Sequence, residues 1–175
     1  GESRDDLVET MRDLREAGLA QSIAATLDAA GLEPRWLTLE ITEGSLLADP
    51  DHASALLRPI LEAGVGLSID DFGTGYSSLS HLKQLPASEI KIDRTFVREM
   101  NRNTQDAVIV RSLIELGHSF DRQVVAEGIE DLETWNILVS LGCDLGQGFL
   151  ISPALAETAA VEWMRSAPWR PPLAP

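Results

Sequence analysis

Gly66-Leu67-Ser68-Ile69-Asp70, followed at once by Asp71, is the stretch on which the fold turns. Side chains on a strand point alternately to opposite faces, so Ser68 and Asp70 share one face while Leu67 and Ile69 share the other. Upstream, a helical stretch over 51–63 leads into this strand through Gly64, and Pro59 inside it is expected to kink it. Before that helix, residues 37–42 alternate in the same way, with Thr38, Glu40 and Thr42 opposite Leu37, Leu39 and Ile41. Two amphipathic helices come first, 5–17 with Leu7, Met11 and Leu14, and 19–30 with Ile23, Leu27 and Ala30, broken at Gly18.

Downstream, 78–85 reads as a short helix stopped by Pro86, and 89–93 as a strand that puts Glu89, Lys91 and Asp93 on one face. A helix over 104–119 follows, with Thr104 as its N-cap and Val108, Val110, Leu113, Ile114 and Leu116 as its apolar face. The strand 123–127 pairs Val125 with Glu127 on one face. Asp131 caps a helix carrying Trp135, Leu138 and Leu141, which Gly142 is placed to end. A last strand, 145–150, holds Gln147 between two glycines; a final helix covers 154–165, and a Pro-rich tail begins at 168. Strand and helix in alternation predict parallel βα units, an α/β fold.

Lys plus Arg number 14 against 28 Asp plus Glu, a formal charge of -14 on 175 residues, with 44% hydrophobic content. A nucleic-acid polymer is therefore not the expected partner, because grip by counterion release needs a basic stripe. No apolar run approaches the roughly 18 residues of a membrane span. A soluble, cytoplasmic chain is the expectation, and the single cysteine, Cys143, agrees with a reducing compartment.

The chemistry lies in where the polar residues fall. Five successive strands present Glu40, Asp70, Lys91, Glu127 and Gln147 at or near their carboxyl ends, where active sites of parallel α/β folds are built. A single strand-end acid is most often a helix cap or loop residue. Five at equivalent positions are harder to dismiss. The adjacent carboxylates of Asp70 and Asp71 repel by about 4 kcal/mol at 4 Å in a partly screened site, a cost that a divalent cation turns into binding. Oxygen ligands from Glu40, Asp70, Asp71 and Glu127 suit Mg²⁺ or Mn²⁺, and two such ions about 4 Å apart would clamp a phosphodiester. Lys91 then supplies a positive charge beside the attacked phosphorus or the attacking water. The run Asp71-Phe72-Gly73-Thr74-Gly75-Tyr76-Ser77-Ser78 reads alone as a turn with a helix start or as a phosphate-cradling loop, and its spacing matches neither standard nucleotide fingerprint.

Taken in order, Glu40-Ile41-Thr42-Glu43, Asp70-Asp71-Phe72-Gly73-Thr74-Gly75-Tyr76-Ser77-Ser78-Leu79, Lys91-Ile92-Asp93-Arg94, Val125-Ala126-Glu127-Gly128-Ile129-Glu130 and Gln147-Gly148-Phe149 resemble the successive motifs of EAL domains, bacterial cyclic di-GMP phosphodiesterases with a modified TIM barrel. The resemblance implies Glu40, Asp70 and Asp71 as metal ligands, Asp70 bridging two ions. It implies Glu127 as general base or metal-site carboxylate, and Lys91 as a contact of the catalytic water. Glu130 and Gln147 would help hold metal or substrate. Glu43 would brace the loop that includes Phe72, Gly73, Thr74 and Gly75, which couples dimer contacts to the metal site. The reaction implied opens cyclic di-GMP to linear pGpG, with Mg²⁺ or Mn²⁺ as cofactor and a homodimer as the assembly.

The family's naming Glu-Ala-Leu strand and its asparagine-bearing strand, each carrying a metal ligand, have no counterpart here; Glu16-Ala17-Gly18-Leu19 is set in a helix end. A TIM barrel typically needs about 250 residues. An incomplete barrel of about five parallel strands is thus expected, with 1–18 a non-matching helical segment, 19–167 a partial EAL domain and 168–175 a tail. Weak or absent hydrolysis is expected of such a chain, and the alternative is a degenerate module that binds cyclic di-GMP or a protein without catalysis. His52, His81 and His118 show no ligand spacing. Cys143 is expected to be a buried small residue, Trp36, Trp135 and Trp163 packing residues, and Trp169 an open candidate for an oligomer contact.

Overall fold

The structure, a computed structural model, describes residues 18–48, 50–74 and 86–166. The helix expected at 5–17, the one at 78–85, His81, Gly75 and the tail with Trp169 lie outside these.

Five parallel strands, β1 (Thr38–Thr42), β2 (Gly66–Phe72), β3 (Glu89–Ile92), β4 (Gln123–Ala126) and β5 (Leu145–Gly146), form one sheet in sequence order. Helices α1 (Leu19–Ala30), α2 (Glu43–Ala48), α3 (Pro50–Glu62), α4 (Arg94–Glu99), α5 (Thr104–Ser119), α6 (Leu132–Ser140) and α7 (Glu157–Ser166) accompany them. Alternation along the strands makes two unlike faces. Leu39, Ile41, Leu67, Ile69, Ile90, Ile92, Val124 and Ala126 are buried in the helix-covered core. On the other face the register sets Glu40 beside Ser68, Thr42 beside Asp70, and Lys91 beside Val125.

Each core helix presents its apolar residues at helical spacing: Leu19, Ile23 and Leu27 on α1, Ala53, Leu57 and Ile60 on α3, Val110, Ile114 and Gly117 on α5. Burying each large aliphatic side chain contributes about 1.5–3 kcal/mol. A β-carbon on Gly117 would lie 2.4 Å from Val124 Cγ2, so only glycine lets α5 sit this close to β4.

Several expectations are corrected. The N-cap of α5 is Asn103, whose Oδ1 accepts from Gln105 N at 2.9 Å, because the chain is still extended there and already helical at Thr104. Val108 is 57% exposed, since α5 turns Val110 and Ile114 inward instead. Pro59 sits on the exposed side of α3, which continues through it to Glu62. Trp36 is 72% exposed, stacked under Arg35 at 5.5 Å, and not a packing residue. The last strand is two residues long, and the last helix begins at Glu157, not 154. Gln147 lies just beyond β5.

Candidate active site

Lys91 is the centre of the open face. Its side chain is 6% exposed, and its Nζ lies 3.0 Å from Glu40 Oε1, 3.5 Å from Asp70 Oδ1 and 2.5 Å from Glu127 Oε1. Four separate pieces of chain meet here. Glu40 comes from β1, Asp70 from β2, Lys91 from β3, and Glu127 from the residue directly after β4, where its amide bonds Ile92 O at 3.2 Å. Burial alone would lower the Lys91 pKa, but Glu127, Glu40 and Asp70 outweigh it and hold the ammonium charged. Glu127 is raised, first by its own burial, with Asp70 and Glu40 adding to it against the pull of Lys91. It is a stronger base than a solvated carboxylate.

A bulge explains how two consecutive acids both serve this region. Register between β2 and β3 passes from Ile69 opposite Ile90 to Phe72 opposite Ile92, and Asp71 takes up the extra residue with φ 54. Asp70 therefore meets Lys91 while Asp71 lies close enough to Asp93 for the two carboxylates to affect each other's charge. Burial, then Asp70 and Asp93, raise the Asp71 pKa. Asp93 itself is buried and caps α4, accepting from Thr95 N at 2.8 Å and from the Thr95 hydroxyl. Burial would raise its pKa, yet these Thr95 bonds lower it. The sequence assigned Asp93 to the same strand face as Lys91 but gave it no role; that shared face was the available signal.

Of the remaining candidates, Glu43 is 3% exposed, and its Oε2 accepts from Gly73 N at 3.0 Å, tying α2 to the loop that begins with Phe72, Gly73 and Thr74. Glu130 is held by Arg98 at 3.2 Å, outside the lysine cluster. Gln147 is exposed, its backbone fixed by bonds to Ala126 O at 2.9 Å and from Ile129 N at 3.1 Å. Gly148 packs against Ile129 so closely that a β-carbon would fall 2.1 Å from the Ile129 carbonyl oxygen. This close approach follows directly on the end of β5 at Gly146.

The donor set fits a hard divalent cation. It is all oxygen, five carboxylates stand against one ammonium, and the buried Asp70 Oδ1 accepts no hydrogen bond. Among the described residues no three acidic, histidine or cysteine side chains are yet grouped closely enough to hold an ion. The point on which three of them converge is occupied by Lys91 Nζ.

A sequence model described as EAL domain matches residues 8–154. The chain belongs to the EAL domain family. It is 47% identical over 142 residues to the bifunctional diguanylate cyclase/cyclic di-GMP phosphodiesterase MucR of Pseudomonas aeruginosa, covering 81% of this chain and 21% of MucR. The EAL fold here superposes on the MucR phosphodiesterase in complex with c-di-GMP with a TM-score of 0.81 and 43% identity, over 84% of this chain and 60% of that one. Klebsiella pneumoniae BlrP1, in a manganese/cy-diGMP complex, matches at a TM-score of 0.73 and 37% identity, over 78% of this chain and 35% of that one. The chain spans about a fifth of the length of the curated relatives it matches. Its five parallel strands with alternating helices belong to the TIM-barrel-like EAL architecture. No helix among the described residues is long and apolar enough to cross a membrane.

Outside the site, His118 Nε2 bonds Asp144 Oδ2 at 2.9 Å, a pair that sequence spacing did not suggest. Cys143 is half-buried, and burial pushes its thiol up to about 11, consistent with a packing residue and not a nucleophile.

Proposed function

We propose that this EAL chain carries the hydrolytic centre of a cyclic di-GMP phosphodiesterase, opening one phosphodiester of the ring to give linear pGpG. The observation that carries it is the convergence of Glu40, Asp70 and Glu127 on the buried Lys91, with the Asp71–Asp93 pair alongside. Relatives support it, since a MucR structure is a c-di-GMP complex and BlrP1 structures hold calcium or manganese with the dinucleotide.

In this reading Glu40, Asp70 and Asp71 hold Mg²⁺ or Mn²⁺. Such ions, when bound, supply a Lewis acid for the phosphoryl oxygens and lower the pKa of water toward neutrality. Glu127 takes the proton from the attacking water, a role its raised pKa favours. Lys91 stabilises charge developing on the phosphoryl oxygens or orients the water. Gln147 and Glu130 contact the dinucleotide at the rim, and Glu43 holds the loop of Phe72, Gly73, Thr74 and Gly75 in place through the Gly73 amide. The negative chain accepts an anionic ligand because bound divalent ions invert the local sign. A homodimer and a cytoplasmic location complete the reading; sedimentation velocity tests the first.

Slow or absent turnover by these 175 residues alone is also proposed, because the Glu-Ala-Leu and asparagine-bearing motifs that would each add a metal ligand have no counterpart among them. Purified protein is assayed for pGpG release with Mn²⁺, beside Glu127→Gln. Detectable slow hydrolysis, reduced by at least about a hundredfold in Glu127→Gln with unchanged melting temperature, is expected. Hydrolysis that survives the substitution would remove Glu127 as the base. A second reading, binding without catalysis, is favoured by the occupation of the carboxylate cluster by Lys91. Titration calorimetry with cyclic di-GMP in Ca²⁺, giving heat where the Mn²⁺ assay gives no product, would establish it.

A further inference from the structure

We propose that Lys91 is an internal counter-ion that stands in for a divalent cation until one binds, so that metal binding and release of the lysine are one exchange. The proposal rests on the metal-dependent reading above and adds to it a regulation of the same site.

An ammonium has three N–H donors and no acceptor. Here three carboxylates on three segments surround it, Glu127 at 2.5 Å, Glu40 at 3.0 Å and Asp70 at 3.5 Å. Glu127 and Glu40 lie at hydrogen-bond distance, Asp70 Oδ1 faces the ammonium without a directed bond, and the lysine side chain is only 6% exposed. In this arrangement Glu127 and Glu40 hold the lysine among carboxylates, away from the chemistry assigned to it. Two of its three partners, Glu40 and Asp70, are also proposed metal ligands, so the same oxygens cannot serve both cations at full strength. A divalent ion at Glu40 and Asp70 repels the ammonium as well as competing for its acceptors.

The three contacts are unequal in the direction the exchange requires. Asp70 is the loosest, and its Oδ1 accepts no properly directed hydrogen bond. Glu127 is the tightest and is not needed by the ion in this reading. Loss of the Glu40 and Asp70 contacts leaves Lys91 hinged on Glu127, its remaining donors no longer held by carboxylates, beside the residue that takes the proton from water. An ion bound at Glu40 and Asp70 would free the lysine where a phosphodiester is to be attacked.

The sequence makes the test clean, because Lys83 and Lys91 are its only lysines. Wild-type protein labelled with ¹³C,¹⁵N-lysine is titrated with Mg²⁺ and the two Cε–Nζ correlations are followed by NMR. The Lys91 signal, assigned by comparison with Lys83→Arg, is expected to shift and its Nζ protons to exchange faster as the ion saturates. Calorimetry with Mn²⁺ on wild type and Lys91→Met gives the second readout. Removing the competitor is expected to tighten Mn²⁺ binding about tenfold, the equivalent of one charge-assisted hydrogen bond, and Asp70→Asn to abolish it.

A Lys91 signal unmoved at saturating Mg²⁺ overturns the exchange, as does Mn²⁺ binding to Lys91→Met that is equal to or weaker than wild type. Either result leaves the metal-dependent reading standing. Absence of Mn²⁺ binding to wild type and Lys91→Met alike overturns that reading and the exchange together. If Lys91→Met does not fold, the wild-type NMR titration decides.

Discussion

Asp131 shows how much a single side chain does here. Its carboxylate accepts from Thr134 N at 2.8 Å and from the Thr134 hydroxyl at 3.1 Å, capping α6 and satisfying a hydroxyl that is 1% exposed. Asp131→Ala is expected to cost about 1 kcal/mol or somewhat more, read as a lower denaturant midpoint at unchanged slope. Lys91 and Glu127 illustrate the opposite use of charge. Their bond opposes the effect of burial on each, yet Glu127 keeps a raised pKa because its own burial, with Asp70 and Glu40 added, outweighs the pull of Lys91. At this scale the sequence was informative about identity and face, since alternation alone placed Glu40, Asp70 and Lys91 together. It could not show that Asp71 departs from alternation, because a bulge is a property of the pairing of two strands, seen only in the register of β2 against β3.

At the scale of elements, packing overrode local preference in several places. The 145–150 run has strand-like composition, but Gly148 allows the chain to press on Ile129, and the ladder stops at Gly146. A methyl group there meets backbone atoms, not a flexible side chain. Gly148→Ala is expected to destabilise by about 1–3 kcal/mol, read by chemical denaturation, and to weaken cyclic di-GMP binding by displacing Gln147. Asn103 took the cap expected of Thr104, and Pro59 was tolerated because Ala53, Leu57 and Ile60 anchor the buried side of α3. Periodicity found the helices; which residue of each end turned extended depended on contacts that periodicity does not contain.

Across the whole molecule, Asp144 joins the start of the last strand to its neighbours. One oxygen accepts from Val124 N at 2.8 Å and from His118 at 2.9 Å. Burial would raise its pKa, but the His118 and Val124 bonds lower it below the ordinary 3.8. A depressed folded pKa contributes stability that is full above the unfolded value and is lost as pH falls through the folded one. Wild type is therefore expected to lose more melting temperature than Asp144→Asn as pH falls below about 4. Equal losses in the two proteins would show that Asp144 does not couple acid to folding.

The sequence by itself determined the class of the fold and the residues of the charged cluster: five strands in order, a polar face carrying Glu40, Asp70, Lys91 and Glu127, and the ordered motifs of an EAL domain. These follow from strand periodicity and residue chemistry, which are local and survive in one dimension. Tertiary structure decided that Asp71 departs from the strand alternation at a bulge, that Glu130 belongs to Arg98, and that Lys91 fills the point where the carboxylates meet. Those are matters of register, backbone approach and the sum of charges around one atom, and only the paired strands bring the participating residues within a few ångströms of each other.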